Sequence, residues 1–253
     1  MIICHRCGSE NASGTTACRS CRSPLTDVKM NIIPEQPHPV QSSEGDFPKS
    51  VQKVLPSIVA IGVEFVDLKK QAIMGSAGSG YILDGGFVVT NSHVVEQPLI
   101  RNITATFDPS IDSVTYDLRI VEIVPEADVA VLRFTGLMDK VMSRKKHLTL
   151  RTTPLKMGED VYTIGNPLDL GISANRGVVS CPSRRFEHRG LKDYIQVSLS
   201  LNPGNSGGAL LDFQNRVVGM TTMGFSKPGA DMCVPAKEIE KIVNRIREVG
   251  EEQ

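Results

Sequence analysis

Ten short apolar runs rich in β-branched residues, each closed by turn-forming residues, constrain this 253-residue chain more than any other feature. They fall at 58–63, 80–83, 87–90, 103–107, 118–124, 129–134, 161–164, 194–197, 209–211 and 217–221. Runs this short cannot be helices of ordinary length. Their regular, turn-bounded recurrence predicts an all-β sandwich or a pair of barrels. Only two segments carry helical spacing. One is short, near Val51–Leu55. The other closes the chain, where Ile239, Ile242, Val243 and Ile246 alternate with charged residues.

Asn202-Pro203-Gly204-Asn205-Ser206-Gly207-Gly208 places one serine among glycines, directly before the run Ala209-Leu210-Leu211. A serine hydroxyl becomes a nucleophile when a base takes its proton and donors stabilise the oxyanion that follows. Flanking glycines leave backbone N–H groups unobstructed and permit the φ angles such a turn requires. The expectation is that Ser206 attacks a peptide carbonyl. The N–H groups of Gly204 and Ser206 would form the oxyanion hole, with Asn205 shaping the turn.

The base and its orienter are sought among few candidates. His5 lies in a cysteine cluster, His38 between prolines, and His147 and His188 in basic segments. His93 ends the run Phe87-Val88-Val89-Thr90-Asn91-Ser92, at a strand-to-turn handover that positions a base rigidly. Asp128, just before Val129-Ala130-Val131-Leu132, is the acid that would hold the imidazole in its productive tautomer. Singly, each has a plainer reading: a glycine turn, a structural histidine, a turn aspartate. Together, in the chain order His93, Asp128, Ser206, they match the chymotrypsin arrangement.

These residues sit in longer stretches that resemble the HtrA branch of the trypsin-like serine proteases. The stretches are Gly78-Ser79-Gly80-Tyr81-Ile82-Leu83 with Val88 through Val95, Ala127 through Leu132, and Met157 through Val161 with Ile164-Gly165-Asn166-Pro167-Leu168. Gly177-Val178-Val179-Ser180 and Ile195 through Leu210 complete them. The resemblance covers roughly residues 50 to 245. It implies two packed six-stranded β-barrels with the site in the cleft between them, and a packed C-terminal helix.

By that resemblance the chain is a serine endopeptidase acting on unfolded or damaged proteins and peptides, with a trimer as the implied assembly. Residues 217–222 would pair with the substrate backbone by strand addition. The specificity pocket would be lined by Ser200, Leu201, Met220, Thr221 and Thr222. No acidic residue stands at those positions, so the expected preference is for small or medium apolar side chains rather than Lys or Arg. The glycine- and proline-containing stretch 224–231 is expected to be mobile. A rival reading is a protease-like module that grips peptides without cutting them.

Cys4-His5-Arg6-Cys7 and Cys18-Arg19-Ser20-Cys21 form two CxxC pairs about ten residues apart. Four thiolates so spaced suit a tetrahedral structural zinc, with Cys4, Cys7, Cys18 and Cys21 as ligands. Redox and disulfide readings compete, but a redox CxxC expects a βαβ context that is missing. Residues 1–22 resemble a small zinc ribbon. Residues 23–48, with five prolines and few large apolar groups, read as an extended, disordered linker to a protease domain at 49–253.

The 28 basic and 28 acidic residues balance, so nothing points to nucleic-acid binding. No apolar stretch has transmembrane length. Thiolate zinc ligands and the lack of a signal peptide lead to the expectation of a cytoplasmic protein. HtrA proteases carry PDZ domains after the protease. This chain ends at Gln253, so the expectation is a protease without one, its ribbon choosing a protein partner or location.

Overall fold

The computed structural model describes residues 2–4, 9–12, 14–23, 47–166, 171–188, 191–223 and 231–251. His5, Cys7, the linker stretch 24–46 and the stretch 224–230 lie outside the described residues. The backbone forms two compact units, Met1–Ser42 and Ser43–Gln253.

The first unit holds one antiparallel pair, β1 (Ile2–Ile3) with β2 (Glu10–Asn11). Its described core is Cys4 and Cys18, with Cys21 packed against them.

The first described element of the second unit is α1 (Phe47–Val54). Phe47 belongs here because its ring packs edge-on against Tyr162 at 5.5 Å and tilted against Phe213 at 6.1 Å. Twelve strands then close two antiparallel barrels. The first contains β3 (Ile58–Asp67), β4 (Ala72–Leu83), β5 (Phe87–Thr90), β6 (Ile100–Thr106), β7 (Thr115–Val124) and β8 (Val129–Phe134), in the order β3-β4-β5-β8-β7-β6. The second contains β9 (Asp160–Gly165), β10 (Ser173–His188), β11 (Leu191–Val197), β12 (Ala209–Leu211), β13 (Val217–Met223) and β14 (Asp231–Pro235), in the order β10-β11-β14-β13-β12-β9. This is the two-barrel fold that the resemblance implies.

Strand alternation assigns alternate side chains to two apolar layers. Ile82, Val88 and Leu132 fill the interior of the first barrel. Their neighbours Tyr81, Leu83, Val89 and Val131 face the opposite way and join Tyr162, Ile164 and Ala209 of the second barrel in a shared layer. Val161, Leu210 and Val218 fill the second barrel. Strands buried on both faces read as continuous apolar runs rather than alternating ones, which is why these runs stand out in the sequence.

The terminal helix is α4 (Ala236–Glu251), and Ile239, Ile242 and Val243 dock into the shared layer. Two helices have no clear sequence signal. In α2 (Ser92–Val95) the element is one turn long. In α3 (Gly136–Arg144) only Met142 is buried, so no apolar stripe marks it.

Candidate active site

His93 lies in α2, immediately after β5. Asp128 follows a single 3-10 turn, Pro125–Ala127, and takes a left-handed conformation with φ 52° and ψ 43°. Aspartate tolerates that region better than most residues. The turn swings the carboxylate under the imidazole. Asp128 Oδ1 and Oδ2 lie 2.9 and 3.0 Å from His93 Nδ1.

The carboxylate is buried while the imidazole is one-third exposed. Asp128 Oδ1 also accepts the Ser92 hydroxyl at 3.1 Å and the His93 backbone N–H at 3.2 Å. Oδ2 accepts the hydroxyl of Thr222, which arrives from β13 of the other barrel. Asn91 Nδ2 donates to the Asp128 carbonyl at 2.9 Å and secures the turn itself. Burial alone would raise the pKa of this carboxyl. The bonds and charge of His93 and the Thr222 hydroxyl outweigh it and hold the pKa below its ordinary 3.8. Asp128 therefore stays ionised, as an orienter must.

Ser206 sits in the turn between β11 and β12. Its Oγ donates to the Thr222 carbonyl at 3.3 Å. Thr222 thus touches the serine through its backbone and the aspartate through its side chain. Gly204, at φ +94°, and Gly207, at φ +84°, give the turn its shape. A Cβ on Gly207 would lie 2.2 Å from the Ser79 carbonyl oxygen and 2.3 Å from Thr90 Oγ1, so only glycine fits.

Asn205 does shape the turn. Its N–H donates to the Asn202 carbonyl at 3.0 Å, and its own carbonyl accepts the Gly208 N–H at 2.9 Å and the Thr221 hydroxyl. Its backbone N–H is therefore already engaged within the turn. The N–H groups of Gly204 and Ser206 have no acceptor among the described residues.

A cavity of about 290 Å³ opens beside the serine, lined by Leu201, Asn202, Pro203, Asn205, Ser206, Thr221 and Thr222. Among the described residues no charged side chain lines it. Two expected pocket residues lie elsewhere. Met220 is fully buried in the layer between the barrels, and Ser200 is exposed to solvent outside the lining. Met220 pairs across the sheet with Ala209 and packs with it in that layer. A larger cleft of about 820 Å³ covers β3, β4 and β6 near Gly62, Ala77 and Thr104. Among the described residues its lining has one ionisable side chain, Glu64, and no histidine or cysteine.

Sequence reasoning passed over Ser79, a fully buried residue of β4. Its Oγ donates to the Gly204 carbonyl at 2.6 Å and accepts the Asn166 N–H at 2.7 Å. Its N–H donates to the Ser206 carbonyl at 2.8 Å, and its carbonyl accepts Thr90 Oγ1 at 2.7 Å. A serine between two glycines in a polar stretch carries no local signal for such contacts.

In the other unit, the sulfurs of Cys4, Cys18 and Cys21 lie within 4.8 Å of one another. Cys4 Sγ and Cys21 Sγ are 3.6 Å apart. The S–S edge of a tetrahedral zinc thiolate site is about 3.8 Å, given a Zn–S bond near 2.3 Å. A disulfide needs about 2.05 Å. The three described cysteines therefore fit a thiolate metal site, and the fourth expected ligand, Cys7, lies outside the described residues. Asn11, almost fully buried, donates to Cys18 Sγ at 3.7 Å and accepts the Arg19 N–H at 2.9 Å, bracing the second pair.

A family model described as the trypsin-like peptidase domain matches residues 78–220, more than half of the chain. The chain belongs to the trypsin-like peptidase family. Among its relatives this peptidase-family chain is 29% identical to serine protease HTRA1 of Xenopus tropicalis over 258 residues, covering 94% of the chain and 54% of that protein. It is 26% identical to the periplasmic pH-dependent serine endoprotease DegQ of Escherichia coli K12, covering 79% of the chain and 48% of DegQ. The chain spans about half the length of the curated relatives it matches. A solved structure described as the HtrA-type protease AlgWS227A with tripeptide superposes with a TM-score of 0.68 at 25% identity. The match covers 81% of this chain and 65% of that one.

Proposed function

We propose that this protein is a serine endopeptidase in which Ser206 is the nucleophile, His93 the general base and Asp128 the orienting acid. The observation that carries the reading is the buried Asp128 carboxylate, bound to His93 Nδ1 at 2.9 Å and joined through Thr222 to the Ser206 turn. His93 Nδ1 donates to Asp128, which leaves Nε2 as the proton acceptor. In catalysis the Ser206 hydroxyl must leave the Thr222 carbonyl and donate to that nitrogen. Ser206 Oγ then adds to the peptide carbonyl. The N–H groups of Gly204 and Ser206 receive the developing oxyanion, where one such donor typically contributes about 3 kcal/mol. His93 passes the proton to the leaving amine, and water repeats the sequence on the acyl-enzyme.

The uncharged cavity beside Ser206 supports cleavage after small or medium apolar residues. The strand addition expected along 217–222 is limited to Thr222, because β12 and β14 already pair with 217–221 in the closed barrel. The serine protease relatives suggest protein substrates, and the resemblance to the HtrA branch implies unfolded or damaged ones. A second reading, a module that grips peptides without cutting, is favoured only by the Ser206 hydroxyl resting on Thr222 rather than on the imidazole. The thiolate cluster of the smaller unit supports a structural zinc site that Cys4, Cys7, Cys18 and Cys21 would hold, and zinc there would supply the folding energy that the segment's small apolar core lacks. Thiolate ligands suit a reducing compartment.

Incubation of the purified chain with unfolded casein, beside a Ser206→Ala control, tests the central reading. Cleavage by the wild type alone supports it. Equal cleavage by both proteins, or by neither, overturns it. Mapped cut sites should follow Val, Ala, Ile, Leu or Met, and a tryptic pattern would refute the pocket assignment.

A further inference from the structure

We infer that Ser79 is a positioning residue that sets the oxyanion hole from the opposite barrel. The inference rests on the serine peptidase reading and deepens it. An oxyanion donor works only if it is aimed before charge develops. The turn carrying Gly204 and Ser206 is glycine-rich, and a glycine at φ +94° has little intrinsic preference to hold its neighbouring peptide groups in one orientation. Something outside the turn must hold them.

Ser79 supplies that hold at two points. Its hydroxyl, 2.6 Å from the Gly204 carbonyl oxygen, fixes the peptide group that follows Gly204. Its N–H, 2.8 Å from the Ser206 carbonyl oxygen, fixes the group that follows Ser206. The two N–H groups assigned to the oxyanion belong to the same two residues, each linked to the held carbonyl through the φ and ψ of that residue. Ser79 is itself over-determined. Its Oγ accepts the Asn166 N–H at 2.7 Å, which directs the hydroxyl hydrogen toward Gly204, and Thr90 Oγ1 clamps its carbonyl at 2.7 Å. The residue is fully buried, so water cannot replace these bonds.

The side chain and the backbone of Ser79 therefore do different work. Substitution by alanine removes the hydroxyl's bond to Gly204 and the acceptor of the Asn166 N–H, and leaves the N–H bond to Ser206 in place. The loss falls on the transition state, where the oxyanion exists, and spares ground-state binding.

The test compares wild type, Ser79→Ala and Ser79→Cys on a fluorogenic peptide with an apolar residue before the scissile bond. Each protein is also titrated with a peptide boronate, whose tetrahedral adduct occupies the oxyanion hole, and with the corresponding product peptide, which does not form one. For Ser79→Ala, kcat should fall by about 10- to 1000-fold with KM within about threefold. Boronate affinity should fall with kcat, and product affinity should hold. Ser79→Cys keeps the size and a weak donor, so it should fold and lie between the two even if the alanine variant does not fold. An unchanged kcat in either variant, or equal losses of boronate and product affinity, would overturn the role. Wild-type activity lost in Ser206→Ala but kept in Ser79→Ala would sink the Ser79 inference alone. An inert wild type overturns the peptidase reading, and the Ser79 role with it.

Discussion

The hydroxyl of Thr222 on the second barrel donates to the carboxylate of Asp128 on the first. The contact crosses the cleft, so the orientation of the acid depends on how the two barrels meet. Thr222→Val keeps the shape and removes the donor, leaving a buried carboxylate short of one partner. The expected cost is about 1–3 kcal/mol in stability and roughly a tenfold fall in kcat, one power of ten per about 1.4 kcal/mol. Denaturant melts and steady-state kinetics on the same preparation check both.

Asp128→Asn should be more severe. The amide cannot neutralise an imidazolium, and its NH₂ favours the wrong imidazole tautomer. Loss of kcat by about 10⁴-fold is expected, the scale seen for such triads. Retention of more than a tenth of wild-type activity would contradict the role given to Asp128.

Gly207→Ala tests the close approach of the turn to β4. The left-handed φ costs about 1–3 kcal/mol for a residue with a side chain, and the new methyl would overlap the Ser79 carbonyl. A fall in thermal midpoint together with lost activity is expected. A fully active, equally stable variant would show that the turn lies farther from Ser79.

Acid should weaken the fold in two windows. His147 Nδ1 lies 3.1 Å from the Ser57 hydroxyl and its Nε2 lies 3.2 Å from the Met142 carbonyl. Burial lowers its pKa from the ordinary 6.5, against the smaller opposing pull of Met142 and Asp84. The unfolded chain then binds the proton more readily, so stability is present above about pH 6.5 and is lost as pH falls through the lowered folded value. Asp128 acts likewise below its ordinary 3.8. Urea melts at pH 7.5 and 5.5 should show a loss in wild type that His147→Gln reduces. Equal losses would remove His147 from the account.

The smaller unit should hold about one zinc per chain by elemental analysis. Cys4→Ser and Cys18→Ser should each release it. Metal-free preparations of normal zinc-binding capacity in either variant would rule out the thiolate site.

Some of this was legible before any coordinates. The runs at 87–90, 129–134 and 209–211 are buried on both faces, so they announce themselves without a partner in view. The glycines around Ser206 declare a special turn because the need for positive φ is local. The order His93, Asp128, Ser206 is visible because each stands at the edge of such a run. The first half of β4 was not legible: Ala72 through Ala77 is exposed or half-exposed, and it becomes a strand because Val63, Phe65 and their neighbours on β3 pair with it residue by residue. α3 was invisible because it buries a single side chain.

The chemistry of the residues was thus a property of the sequence, since a serine between glycines or a CxxC pair carries its reactivity and its backbone freedom wherever it lies. The second layer of the site was a property of the tertiary structure. Ser79 meets Gly204 across 125 positions, and Thr222 meets Asp128 across 94. Hydrogen bonds of a few ångströms between such distant positions leave no periodicity and no local preference to read. They exist only once the two barrels have closed and their shared apolar layer has set the cleft.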